Sequence, residues 1–110
     1  MPNRELRAEA RISVSQRGKL GSGETWFPCM VVDMSNQGFQ MLCARQLAVG
    51  QILDFRCELF PEKVLDCKLQ VKHYSDLSVG TQIVQIDPKG YRLCELFLQE
   101  QYSDKLGRLG

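Results

Sequence analysis

The chain holds one histidine, His73, and no set of residues arranged around it for chemistry. A Ser/His/Asp relay needs a histidine with a partner on each side, and no such partner can be argued from the sequence. His73 also falls on the apolar parity of a strand pattern, so it is expected to be a structural histidine facing the core. The five cysteines, Cys29, Cys43, Cys57, Cys67 and Cys94, include no CxxC pair. An odd number of isolated cysteines excludes a disulfide framework and a zinc site, and points to small buried hydrophobes in a reducing cytoplasm. No apolar run approaches the roughly 18 residues that a spanning helix needs. The opening "MPNRELRAEAR" lacks the apolar stretch of a signal peptide. No GxGxxG or Walker loop occurs; "GKLGSGE" has glycines and a lysine without the P-loop order, and reads as a flexible hairpin loop. Catalysis and membrane insertion are therefore not expected.

What remains is an ordinary globular composition, 44% hydrophobic and 25% charged over 110 residues, enough for one domain around one core. The net charge is only +1, but it is unevenly spread. Residues 1–20 carry five basic and two acidic side chains, net +3, whereas the other ninety carry nine basic and eleven acidic, net −2. That cationic end suits a small anion and is thin for a polynucleotide. Stacking aromatics on an exposed sheet face, which single-stranded nucleic acid would want, are not apparent, and Trp26 is expected to anchor the core or cap a barrel end.

The hydrophobic pattern runs in twos. In "VLDCKLQVKHY", Leu65, Cys67, Leu69, Val71 and His73 share one side; in "QILDFRCELF", Leu53, Phe55, Cys57 and Leu59 do. "RISVSQR", "WFPCMVV", "GFQMLC" and "VGTQIVQI" complete six strands, with Pro28 marking an edge or bulge near the start of its strand. Turn residues at 18–24, 35–38, 48–51, 60–63 and 75–80 separate them. Six short strands with hairpin connections predict an antiparallel barrel or small sandwich. The period then changes: Asp87 is a candidate N-cap, Pro88 opens a helix, and Leu93, Cys94, Leu96 and Phe97 form its apolar stripe. The expected organisation is a single domain: an N-terminal loop over 1–11, a barrel over 12–86, a helix over 87–102 and a frayed tail over 103–110.

Two stretches could bind something. In "RAEAR", Arg7 and Arg11 share a face whether the segment is helical or extended, and two guanidinium forks suit phosphate oxygens or the O6/N7 edge of guanine. A solvated basic face accounts for the same pattern. In "DMSNQG", Asp33 could accept from the N1–H and N2–H donors of guanine. Ser35 would point to the same side, and Gly38 would allow a positive φ and close approach of backbone to ligand. A hairpin turn asks for the same residues for its own reasons.

Taken together and in this order, the two stretches resemble the PilZ domain, a bacterial receptor module for cyclic di-GMP. "RAEAR" matches its RxxxR motif and "DMSNQG" its [D/N]xSxxG motif, with twenty-one residues between Arg11 and Asp33 for a strand, loop and strand. "LAVGQILDFRCEL" and "VGTQIV" resemble later parts of the family pattern, so the likeness covers nearly the whole chain. It implies a six-stranded split barrel with a closing C-terminal helix, and binding of cyclic di-GMP by Arg7, Arg11, Asp33, Ser35 and Gly38. Leu6, Arg4 and Asn36 are secondary candidates. An apolar residue before the first arginine, here Leu6, implies one nucleotide per chain; no cofactor is expected besides this ligand. The resemblance further implies a non-enzymatic, cytoplasmic receptor or adaptor that passes occupancy to an effector protein and bears on motility, exopolysaccharide or virulence. The alternative is a PilZ-like protein-interaction module that does not use the nucleotide.

Overall fold

A computed structural model describes residues 11–109, with side chains as far as Ser103. The arginine-rich segment before Arg11 lies outside the described residues. Six antiparallel strands close into a barrel: β1 (Ile12–Ser22), β2 (Thr25–Met34), β3 (Phe39–Leu42), β4 (Ile52–Phe60), β5 (Lys63–Ser75) and β6 (Ser78–Ile86). Their order around the barrel is β1, β2, β3, β6, β5, β4, and β1 pairs back onto β4 from Gly18 opposite Cys57 to Gly21 opposite Asp54. Closure gives every described strand a partner on both sides over part of its length, so no strand is a full-length edge.

The period of two places the core as expected. Leu53, Phe55, Cys57 and Leu59 of β4 and Leu65, Cys67, Leu69 and Val71 of β5 are all buried, facing Phe27, Cys29, Val31 and Met34 of β2. All five cysteines are buried and unpaired. Burial pushes the thiols of Cys29, Cys67 and Cys94 up to about 12 and that of Cys57 up to about 11. Thiols held that high carry almost no thiolate at neutral pH and act as small hydrophobes.

Several strands run further than their turn residues indicate. "GKLGSGE" is not a loop: Gly18 to Ser22 continue β1, Leu20 is completely buried opposite Phe27, and only Gly23 and Glu24 turn the chain. Likewise Pro61–Glu62 joins β4 to β5, and Asp76–Leu77 joins β5 to β6. Each is a two-residue connection, with Gly23, Glu62 and Asp76 taking the positive φ that tight hairpins require. Pro28 behaves as its chemistry demands. It pairs with Lys19 of β1, while β3 joins β2 only from Met30 onward, so the first half of β2 has a neighbour on one side alone.

Trp26 neither fills the core nor caps the barrel. It is 41% exposed on the outer surface, because its neighbour Phe27 takes the inward parity. The indole lies on the bare backbone of Gly21, and the Arg56 guanidinium stands 5.1 Å from its ring centre. Arg56 also pairs with Asp66 at 2.8 Å, and Lys68 with Asp54 at 2.6 Å, across β4 and β5. These pairs are well exposed and add little stability.

The helix, α1 (Pro88–Leu109), packs on β5, β1 and β4. Asp87 caps it, its Oδ1 accepting from the Gly90 N–H at 2.7 Å while its carbonyl accepts from Tyr91 N–H at 2.9 Å. The buried face is Gly90, Cys94 and Phe97 with Leu98 half-buried, and Phe97 meets Phe60 edge-on at 5.7 Å. Leu96 is 47% exposed and does not belong to that stripe, because it lies about 120° from Gly90 and about 160° from Cys94 on a helix of 3.6 residues per turn. The backbone remains helical through Leu109 instead of fraying after Tyr102, since no proline interrupts propagation once the capped turns have formed. Among the described residues, no helix is long and apolar enough to cross a membrane. Removing the cap should be measurable. Asp87→Ala is expected to cost about 1 kcal/mol in urea denaturation, with Asp87→Asn retaining most of the stability; equal stability of all three would deny Asp87 a capping role.

Candidate functional site

The turn between β2 and β3 is built by Ser35. Its N–H donates to the Gly38 carbonyl at 3.0 Å, and its Oγ accepts from the N–H groups of Gln37 at 3.1 Å and Gly38 at 3.3 Å. The residue is 3% exposed. The hydroxyl is thus engaged within the turn, not projected beside Asp33 as an extended chain would have it, because β2 ends at Met34 and the backbone changes direction there.

The same turn is fastened to β6. Gln37 accepts from Ile83 N–H at 2.7 Å, and the buried Thr81 hydroxyl both donates to the Phe39 carbonyl at 2.9 Å and accepts from Phe39 N–H at 3.3 Å. Gly38 lies so close to β6 that a Cβ there would overlap the Thr81 carbonyl oxygen. Its φ is not positive. Glycine is required at 38 by the neighbouring backbone, therefore, and not by a left-handed conformation.

These contacts form the floor of a cleft of about 340 Å³, lined by Arg11, Ser35, Gln37, Gly38, Lys72, His73, Gly80, Thr81 and Gln82. Arg11, just before β1, is exposed and makes no ion pair with a described residue. The lining holds two cations and no carboxylate, with the amides of Gln37 and Gln82 as further polar groups. An anion with hydrogen-bonding edges is the chemistry that such a wall can accept. Nothing in it supplies a nucleophile with an adjacent base, and no metal-holding group of His, Cys, Asp and Glu occurs among the described residues.

Of the residues expected at the site, the structure brings Arg11, Ser35 and Gly38 to one cleft, although Arg11 lies 24 and 27 positions before the other two. Asp33 does not line it. It stands half-buried at the end of β2, between Ser13 and Gln40, where both ladders are irregular. Asn36 is distinctive for another reason: its Oδ1 is buried with no hydrogen-bond partner among the described residues. Arg4, Leu6 and Arg7 lie outside the described residues.

Six of the lining residues, Gln37, Lys72, His73, Gly80, Thr81 and Gln82, were not expected from the sequence. His73 is exposed and faces the cleft, contrary to its apolar parity. The cause is a bulge: the β5–β6 register slips between Val71, opposite Thr81, and His73, opposite Gly80. A bulge inserts one residue and reverses the parity after it, so Lys72 and His73 both point outward. The signal available in the sequence was the adjacent polar pair in "VKHY", which interrupts an otherwise strict alternation.

Comparison with known proteins bears on this arrangement. The PilZ domain family model matches residues 5–100. Among solved structures, the PilZ domain of YcgR from Escherichia coli, determined with c-di-GMP, superposes with a TM-score of 0.75 at 12% identity, covering 91% of this chain and 94% of that one. The inhibitor of motility MotI/DgrA of Bacillus subtilis gives a TM-score of 0.67 at 16% identity, over 88% of this chain and 49% of its own. The Legionella protein Lpg0364 gives 0.57 at 10% identity, over 87% and 97%. A sequence comparison with curated proteins returned no match. At such identities the structural likeness establishes the barrel and its helix alone, whereas the family model spans both the arginine motif and the Ser35–Gly38 turn: the chain belongs to the PilZ domain family.

Proposed function

We propose that this protein is a receptor for cyclic di-GMP, binding one nucleotide per chain at the cleft between Arg11 and the Ser35–Gly38 turn. The observation that carries the reading is convergence. Arg11 of one motif and Ser35 and Gly38 of the other line one cleft, whose described lining holds cations and no carboxylate. Cyclic di-GMP carries two negative charges and two guanines. Arg11, with Arg7 from the same motif, would take phosphate oxygens or guanine O6/N7, each bidentate contact contributing on the order of 1–3 kcal/mol. Asp33 would accept from a guanine Watson–Crick edge at the margin of the site. Ser35 and Gly38 would act by holding the turn's shape, since the Ser35 hydroxyl is already engaged.

In a receptor the output of binding would be a change in what the protein presents to an effector. Binding would favour whichever conformation takes the ligand better.

One observation favours a second reading, a PilZ-like interaction module that does not use the nucleotide. Ser35 and Gly38 are both accounted for by the turn and its closeness to Thr81, so their presence does not by itself require a ligand.

Titration calorimetry separates the two. Saturable binding of cyclic di-GMP is expected for the wild type, with GMP, GTP and cyclic di-AMP much weaker, and at least about tenfold weaker binding for Arg11→Ala, the loss of one bidentate contact. A wild type that ignores cyclic di-GMP would leave the interaction module as the better account.

A further inference from the structure

We infer that His73 is a ligand-contacting residue of this cleft, a stacking platform for one purine base of the bound nucleotide. The inference rests on the cyclic di-GMP reading above and adds to it a wall that neither sequence motif contains. The β5 bulge turns His73 out of the core and aims it at the cleft. Across the ladder its partner is Gly80, and the imidazole lies over that glycine so closely that a Cβ on Gly80 would overlap ring atoms Cε1, Nε2 and Nδ1 together. Three ring atoms around one point mean that the ring is laid face-on against the Gly80 backbone. One face is therefore occupied and the residue is nevertheless exposed, so the free face is turned outward into the cleft.

A flat ring backed by backbone is what a base needs for stacking. It is held in place before the ligand arrives, and it accepts the π-face of a base without reading its edge. The surroundings fit a nucleotide in particular. Lys72, the other residue of the bulge, and Arg11, which lines the same cleft, supply positive charge for phosphates. Gln82 and Gln37 supply amides for base edges. Gly80 is glycine because a side chain there would lift the imidazole off the sheet.

The test uses the full chain and cyclic di-GMP. His73→Ala is expected to bind about tenfold more weakly or worse, and His73→Phe to stay within about threefold of the wild type, since stacking needs the ring and not its nitrogens. Gly80→Ala should weaken binding similarly, and the Gly80→Ala/His73→Ala double variant should lose no more than His73→Ala alone, because both act through one ring. Circular dichroism checks that each variant is folded. In the wild type, saturation should move the His73 Hε1 proton resonance upfield through the ring current of the stacked purine. Wild-type binding with an unaltered affinity in His73→Ala, or with no movement of that resonance, overturns the role of His73 and leaves the nucleotide reading intact. No binding by the wild type overturns both.

Discussion

Replacing Phe55 by alanine is expected to lower the unfolding free energy by about 3–5 kcal/mol, the range for removing a buried phenyl ring. The expectation follows from the position of the ring. Phe55 is 1% exposed, stands 5.0 Å from Phe39 across the barrel at an interplanar angle of 36°, and lies beside Leu20 of β1 and Cys67 of β5 in the two ladders of β4. Its Cε1 also rests against Gly18, where a Cβ would come within 3.0 Å. A cavity at that point has walls from at least four strands. A closed barrel cannot collapse onto it without breaking the β1–β4 pairing that closes the sheet, so relaxation should recover little of the loss. For a domain of this size each kcal/mol corresponds to roughly 4–8 °C in Tm. Since small domains have only about 5–15 kcal/mol in total, Phe55→Leu provides the measurable intermediate. Urea midpoints should fall in the order wild type, Phe55→Leu, Phe55→Ala at unchanged slope. A loss below about 1 kcal/mol for the alanine variant would mean that the ring is not part of the closing core.

Gly38→Ala is the second large effect, and its sign is diagnostic. If Gly38 were only a flexible turn residue, alanine would stabilise the protein by about 0.4–1 kcal/mol through the unfolded chain. The structure predicts the opposite. An alanine Cβ would overlap the Thr81 carbonyl oxygen and meet Gln82 Cα and the Thr81 carbonyl carbon at 3.0 Å, all of them backbone atoms of β6. Those atoms cannot swing aside as a side chain can. They are tied to the turn by the Ile83–Gln37 bond and by the two bonds of the Thr81 hydroxyl to Phe39. A loss of about 1–3 kcal/mol is expected, the usual range for overpacking, with Gly38→Val worse. Denaturant titration reads it directly, and an alanine variant as stable as the wild type would show that β3 and β6 separate easily. Because the same contacts form the floor of the cleft, the variant should also bind cyclic di-GMP more weakly.

Much of this was legible beforehand for a simple reason: the core obeys the period of a strand. The alternation through Leu53–Leu59 and Leu65–Val71 states which side is inward, and the structure agrees at every one of those positions. Asp87 followed by Pro88 similarly announced a helix start, because capping chemistry is local. The readings that failed were those in which a tertiary contact outweighs a local pattern. Gly18 and Gly21 looked like loop residues, but they serve β1 by making room for Phe55 and Trp26. Leu96 looked like part of the apolar stripe, and only the docking of α1 on β5, β1 and β4 reveals which arc of the helix is covered.

For the site, the division is equally physical. Residue type and order alone determined that the chain carries a cationic N-terminal end, a turn able to be formed by Ser35 and Gly38, and six alternating strands, because charge, turn chemistry and strand parity are properties of neighbours along the chain. Tertiary structure decided that Arg11 meets that turn, that the Ser35 hydroxyl is engaged within it, and that Gly38 faces the Thr81 carbonyl. It also decided that His73 leaves the core for the cleft, through a one-residue slip between β5 and β6. Such a slip is set by how two strands fit around a closed barrel, and the local sequence marks it only by the adjacent polar pair Lys72–His73.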